Sequence, residues 1–293
     1  MEGIICWWSG GITSSVACKK AIEIYGKEQC RVIFIDTFNE HPDTYRFKDD
    51  CAEWYGLEVE TITVIGKKYE NIKDVWFKRL SLNTANGAIC SSELKKKART
   101  NWQKENKYQH QVFGFEFETR EFKRSLALSL NHPDARAIYP LLMLGMNKQD
   151  CIEFTNAEGI KPPSAYELGF MNNNCLGTGC VQGGIGYWQH MKKTLPENYD
   201  EMARIEHELT DLKGSPVSML KNQTKESIKM AKELNMGRKY MPLFLKSHPK
   251  YPEIKTVMDK EVKEIKPLMD CNGFCGVDEL NEKNKTEFEL NLQ

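Results

Sequence analysis

Residues 3–15 read Gly3-Ile4-Ile5-Cys6-Trp7-Trp8-Ser9-Gly10-Gly11-Ile12-Thr13-Ser14-Ser15. The first six form a short apolar run that stops at Ser9-Gly10-Gly11, as a strand buried on both faces does. Residues 13–25 then carry Val16, Ala17, Lys20, Ala21 and Ile24 on or near one helical face. Glycines between strand and helix let the backbone turn tightly and approach an anion. The helix start offers N–H groups and the positive end of a dipole. Ser9, Thr13, Ser14 and Ser15 add hydroxyls. An ordinary Gly-rich turn with a Ser/Thr cap has similar composition. The strand–loop–helix order favours phosphate binding. The stretch is neither G-x-x-x-x-G-K-[ST] nor G-x-G-x-x-G.

The pattern repeats outward. Val32-Ile33-Phe34-Ile35 stops at Asp36-Thr37, residues 42–55 read as a helix, and Val59–Val64 alternates like a strand. Val112-Phe113-Gly114-Phe115 and Ala137–Tyr139 are further strand candidates. Strands alternating with helices predict an α/β, Rossmann-like parallel sheet flanked by helices. Ligands then sit beyond the carboxyl ends of its strands. After about residue 145 the character changes. Asn147–Glu158 reads as a helix, Gly169–Gly186 as a Gly/Asn/Cys-rich loop, and Tyr187–Leu212 as strongly helical. Residues 213–266 hold thirteen Lys or Arg, an excess that suits a polyanion or a plain solvated surface. The tail from Val277 is acidic and polar. The expected division is a nucleotide-binding domain over 1–150 and a mainly helical, Cys-containing region over 151–293.

Composition sets limits. The 293 residues carry 41 Lys+Arg and 41 Asp+Glu, so a duplex-DNA binder relying on overall charge is disfavoured. No apolar run approaches the roughly 20 residues of a membrane span. The N-terminus lacks a basic n-region and a small-residue cleavage site, which predicts a cytoplasmic protein with reduced thiols and no membrane partner. Its ten Cys are therefore informative. Cys6, Cys18, Cys30, Cys51 and Cys151 sit in or beside apolar segments and read as core. Cys90 precedes a basic helix, Cys175 and Cys180 bracket Leu-Gly-Thr-Gly, and Cys271 and Cys275 bracket Asn-Gly-Phe. Two close pairs plus a distant Cys suit an Fe–S cluster, structural Zn²⁺, or five unrelated thiols.

The Ser9–Ser15 segment resembles the PP-loop of the ATP pyrophosphatase superfamily, S-G-G-x-D-S, with Thr13 at the Asp position. Asp36-Thr37-Phe38-Asn39-Glu40-His41-Pro42 looks like the D-T-G-x-E-H-P stretch of phosphoadenosine phosphosulfate (PAPS) reductase-like proteins, with Phe38 in place of Gly. Cys90-Ser91-Ser92-Glu93-Leu94-Lys95 is similar to their C-T-x-x-L-K. Gly114–Arg124 stands where they carry G-x-R, with Glu116 at the Arg position. Tyr139-Pro140-Leu141-Leu142 matches their Y-P-L, and Asn172–Trp188 resembles the N-N-N-C-x-G-C-V-x-G-G-x-G-Y-W signature of a phage and mobile-element subgroup. Here Cys175 and Cys180 are separated by four residues instead of two. The resemblance covers most of residues 1–276.

It implies a HUP-type fold in which Ser9, Gly10, Gly11, Ile12, Thr13, Ser14 and Ser15 hold phosphates. Asp36, Thr37, Gly114 and Arg120 complete the nucleotide site, with ATP or a PAPS-type nucleotide as ligand and Mg²⁺ as a further candidate. It also implies a [4Fe–4S] cluster on Cys90, Cys175, Cys180 and Cys275, with Cys271 as a catalytic thiol. The alternative is that Cys271 binds the cluster and Cys275 does not. The function implied is an Fe–S-containing ATP pyrophosphatase that activates or sulfurates a substrate, with nucleic acid or a sulfur-donor protein as candidate partner. The alternatives are a PAPS or adenylyl sulfate reductase, and a non-enzymatic nucleotide-binding module with a structural cluster.

Overall fold

A computed structural model describes residues 3–84, 87–173 and 175–268. Five parallel strands form the central sheet: β1 (Gly3–Trp8), β2 (Cys30–Ile35), β3 (Val59–Ile62), β6 (Tyr108–Val112) and β7 (Ala137–Ile138), in the order β3-β2-β1-β6-β7. A hairpin of β4 (Asn83–Thr84) and β5 (Gly87–Ala88) lies between β3 and β6 in the chain. A second pair, β8 (Leu220–Lys221) and β9 (Pro242–Leu243), lies near the C-terminal end of the described chain. The helices are α1 (Ile12–Tyr25), α2 (Pro42–Tyr55), α3 (Ile72–Arg79), α4 (Lys97–Glu105), α5 (Thr119–Asn131), α6 (Pro140–Leu144), α7 (Lys148–Ala157), α8 (Ser164–Glu167), α9 (Ile185–Thr194), α10 (Pro196–Lys213) and α11 (Lys225–Glu233). A π-helical stretch, Ser91–Lys96, runs into α4.

β1 shows why the sheet is covered on both sides. Side chains alternate across a strand. Ile4, Cys6 and Trp8 enter one apolar layer with Val16, Phe47 and Leu141, and Ile5 and Trp7 enter another with Trp102, Phe113 and Leu128. Register pairs Ile4 with Cys30 through Trp8 with Phe34 on one side, and Cys6 with Val112 on the other. α2 starts at His41, whose Nδ1 accepts from the Asp43 N–H at 3.2 Å, and has Pro42 in its first turn. It ends at Gly56, in the left-handed region at φ 62°.

One expected element moves. The apolar run 112–115 was expected as a strand, but β6 ends at Val112. Phe113 still donates its N–H to the Ile138 carbonyl at 3.0 Å, and the chain then turns over α1. The stretch 187–212 is helical as expected and is divided into two helices, α9 and α10. Pro196 lacks the N–H an unbroken helix needs and opens α10 instead. A third core joins residues 69–94 to residues 165–257, with Trp76, Leu94, Trp188 and Tyr199 at its centre. Among the described residues no helix is long and apolar enough to cross a membrane.

Candidate functional site

The strand order places β1 between β2 and β6, so the chain leaves β1 to one side and later returns to the other. A crevice opens at such a reversal, at the carboxyl ends of the two strands. Ser9-Gly10-Gly11 sits there. Gly10 holds φ 87°, and a Cβ on it would meet Thr44 Cγ2 at 2.9 Å. The Ser14 and Ser15 hydroxyls donate back to the Gly11 carbonyl at 2.8 and 2.9 Å. Ser9 donates both its N–H and its hydroxyl to Ser14 Oγ, and Trp8 Nε1 donates to Ser15 Oγ. These hydroxyls, expected as ligand donors, hold the loop's shape. What the loop offers an anion is backbone N–H and the helix end. Ile12 has its side chain in the core, and its N–H donates to the Tyr166 hydroxyl at 3.1 Å. Thr13 is buried beside it.

Gly114 lies just past β6 and presses on the first turn of α1. A Cβ there would sit 2.5 Å from Ser14 Cα and 2.7 Å from Ser14 N. Thr13, Gly114, Glu116, Lys148, Asn172 and Leu268 line a narrow cleft beside the loop. Lys148 Nζ lies 3.8 Å from Glu116 Oε1 and donates to the Met171 carbonyl. Arg120 is exposed and donates to the Pro267 carbonyl at 3.2 Å, and the Leu268 N–H donates to Asn172 Oδ1 at 2.7 Å. The last described residues thus return to the mouth of the nucleotide crevice.

At the end of β2, Asp36 is buried, which raises its carboxyl above the usual range against the opposing pull of the Phe38 N–H and the Tyr45 hydroxyl. Phe38 keeps a left-handed φ of 52°, the conformation that the Gly of the family pattern adopts without cost, and its ring is exposed. Thr37 Oγ1 donates to Glu40 Oε1 at 3.1 Å. Glu40 is a buried hub: its carboxylate also takes the buried Lys95 ammonium at 3.4 Å and the Cys175 N–H at 3.3 Å. One side chain therefore joins the β2 loop, the π-helical stretch after Cys90 and the Cys loop. Asn39 Nδ2 donates to Thr178 Oγ1, and Asn173 Nδ2 donates to both the Gly10 carbonyl and Thr44 Oγ1, each near 2.9 Å.

Cys90, Cys175 and Cys180 are all buried. Cys90 and Cys180 share a core cluster with Tyr187. The Cys180 N–H donates to the Tyr187 hydroxyl at 3.0 Å, and burial plus the neighbouring Cys180 and Cys175 push that phenol up. Cys175 has φ 33°, uncommon for a residue with a side chain. Cys90 and Cys180 thus share one apolar cluster, and Cys175 and Cys180 both act on the Tyr187 phenol. Among the described residues, however, no group of three or more His, Cys, Asp or Glu is arranged around a metal position. Cys271 and Cys275 lie outside the described residues. The other five cysteines are buried free thiols. Burial pushes Cys51 up to about 11 and Cys151 up to about 12, as for inert core thiols.

Residues 3–176 match the phosphoadenosine phosphosulfate reductase domain. The chain belongs to this family. The family region spans the loop, the β2 hub and Cys175, while Thr178, Cys180, Tyr187, Pro267 and Leu268 lie beyond it. Among solved structures, a PAPS reductase from Candida auris in complex with phosphate is similar at 18% identity. That match covers 58% of this chain and 79% of the other, with a TM-score of 0.44. The U34-tRNA thiolase NcsA from Methanococcus maripaludis with its [4Fe-4S] cluster is similar at 13% identity, covering 80% and 81%, with a TM-score of 0.36. No curated protein matches.

Sequence reading of this PAPS reductase-family chain missed three positions. Glu40 and Lys95 lie in quoted motifs, but nothing in their spacing says that a carboxylate and an ammonium meet in the interior. Glu93 is the third. Burial works against its charge, yet Lys97, Arg79 and Tyr69 outweigh that and hold its carboxyl down to about 2. Its neighbour Lys97 is half-exposed while paired with it.

Proposed function

We propose that this chain binds an adenine nucleotide across Ser9–Ser15 and cleaves ATP to form an adenylated acceptor and pyrophosphate, with sulfur then displacing AMP. The observation that carries this reading is the Glu40 hub, which ties the nucleotide crevice to Cys90's helix and the Cys175 loop. In the first step an acceptor oxygen attacks the α-phosphorus and pyrophosphate leaves. In the second a sulfur nucleophile takes the carbon, and AMP departs with that oxygen. The loop N–H groups and the start of α1 would stabilise charge gathering on the phosphates. Asp36 and Thr37 would face the ribose or base, and Arg120 and Lys148 would stand by the leaving phosphates. Cys90, Cys175 and Cys180, with Cys275, would hold a [4Fe–4S] cluster, and the soft, thiolate-rich chemistry of these donors fits one. A bound cluster would supply iron sites with affinity for sulfide.

A second reading is favoured by one contact. Leu268, three positions before Cys271 in the sequence, lines the cleft beside Thr13 and Gly114. In this reading the Cys271 thiolate would attack the sulfur of PAPS directly, and no ATP would be cleaved. The experiment is a paired assay of anaerobically purified protein, pyrophosphate released from ATP against sulfite released from PAPS with a thiol reductant. Pyrophosphate formation lost in Gly11→Val supports the first reading. Sulfite formation lost in Cys271→Ser, with no pyrophosphate, supports the second. Neither product together with ATP affinity unchanged in Gly11→Val would remove both.

A further inference from the structure

A cleft of about 730 Å³ opens between the β4–β5 hairpin, the loop after Cys180, and the segments around β8 and β9. Lys213, Lys221, Arg238 and Lys239 line it, and no Asp or Glu is among its described lining residues. Elsewhere Lys73 pairs with Glu201, Lys246 with Asp200 and Lys250 with Asp211. None of the four cleft cations has an ion pair among the described residues. In a chain of zero net charge, gathering four unneutralised cations on one concave wall is unfavourable unless an anion meets them.

The wall carries more than charge. Tyr240 lines it with the Lys239 ammonium 5.2 Å from its ring centroid, and Arg238 is steadied by donation to the Pro216 carbonyl. Asn83, on the same wall, donates to the Val181 carbonyl at 2.9 Å and so fixes the hairpin to the loop after Cys180. Spaced cations and an aromatic ring together describe a surface for unpaired nucleotides. Gln182, on the same wall, is two residues from Cys180, so the cleft reaches within about 8 Å of that thiol's backbone.

We propose that this cleft binds the backbone and bases of a single-stranded or looped nucleic acid. It would be the acceptor substrate delivered to Cys90, Cys175 and Cys180. The inference deepens the sulfuration reading above and rests on it for the chemistry, but not for the binding. The test is fluorescence anisotropy of a short labelled single-stranded RNA with the full chain over a salt series, with ATP affinity by calorimetry in parallel. Four phosphate contacts give a log–log salt slope of about −2.8. Lys221→Glu with Arg238→Glu should weaken RNA binding at least about tenfold and flatten the slope by about 1.4, leaving ATP affinity unchanged. Lys229→Glu, outside the cleft, should do neither. Equal RNA affinity in the wild type and the double variant would overturn the cleft, as would inorganic phosphate binding without RNA binding. Loss of ATP binding with RNA binding intact would overturn the nucleotide reading and leave the cleft standing.

Discussion

Glu40 and Lys95 form a buried ion pair that also holds the Thr37 hydroxyl and the Cys175 N–H. Such a pair is weak evidence for net stability, because both charges lose their hydration. Breaking it is another matter. Glu40→Gln keeps the shape but removes the carboxylate closest to the buried Lys95 ammonium, at a cost of up to about 3–5 kcal/mol. Urea unfolding should show that loss, and Glu40→Gln with Lys95→Met should recover most of it. A single variant as stable as the wild type would mean that the two side chains are hydrated in solution. The pair was not legible in the sequence. Nothing in the sequence separation of Glu40 and Lys95 pairs them, and only the fold brings them together.

At the scale of elements, the junction of α1 with the end of β6 has the least room. Gly114 meets the Ser14 backbone so closely that one methyl group must push the helix start away from the strand. Gly114→Ala should therefore cost about 1–3 kcal/mol by overpacking and weaken ATP binding by misplacing the Gly11–Ser14 N–H groups. Thermal melting and calorimetry would show both effects. A fully stable variant with normal ATP affinity would mean that the junction yields. Gly114 was expected to touch nucleotide. The structure shows a packing role for it that no single-sequence pattern signals. The strand before the loop was legible because a buried parallel strand writes itself as an uninterrupted apolar run. β6 was not, because Tyr108-Gln109-His110-Gln111 is polar and the apolar residues fall just past its end. The Cys segment was legible as a group but not as a geometry. Loss of Cys90, Cys175 or Cys180 to Ser should lower both bound iron and thermal stability, since metal affinity is coupled to folding. Cys271→Ser should keep its iron. Zinc-replete, iron-free wild type would remove the cluster, and iron loss in Cys271→Ser would exchange its role with that of Cys275.

At the scale of the whole molecule, a pH-sensitive carboxyl lies outside the nucleotide crevice. Glu206, in α10, is completely buried, and its two oxygens accept the N–H groups of Met219 and Leu245, at 3.1 and 2.8 Å. It therefore ties α10 to the segments leading into β8 and out of β9, next to the cationic cleft. Burial pushes its carboxyl up to about 8 from 4.5, although the two N–H donors pull the other way. A folded-state value above the unfolded one means that the native state holds the proton more tightly. The contribution is then fully present below about pH 4.5, and it is lost as pH rises toward 8. The loss should amount to a few kcal/mol, on the order of 1.4 kcal/mol for each pH unit of the shift. Urea midpoints should fall between pH 5 and pH 8 in the wild type. Glu206→Gln cannot ionise, so its midpoint should be nearly flat over that range. It should also be lower than the wild type at pH 5, because its amide N–H₂ faces a backbone N–H where the carboxyl group presented an acceptor. A variant with the wild-type slope would assign the pH dependence to another group and would place solvent beside Glu206.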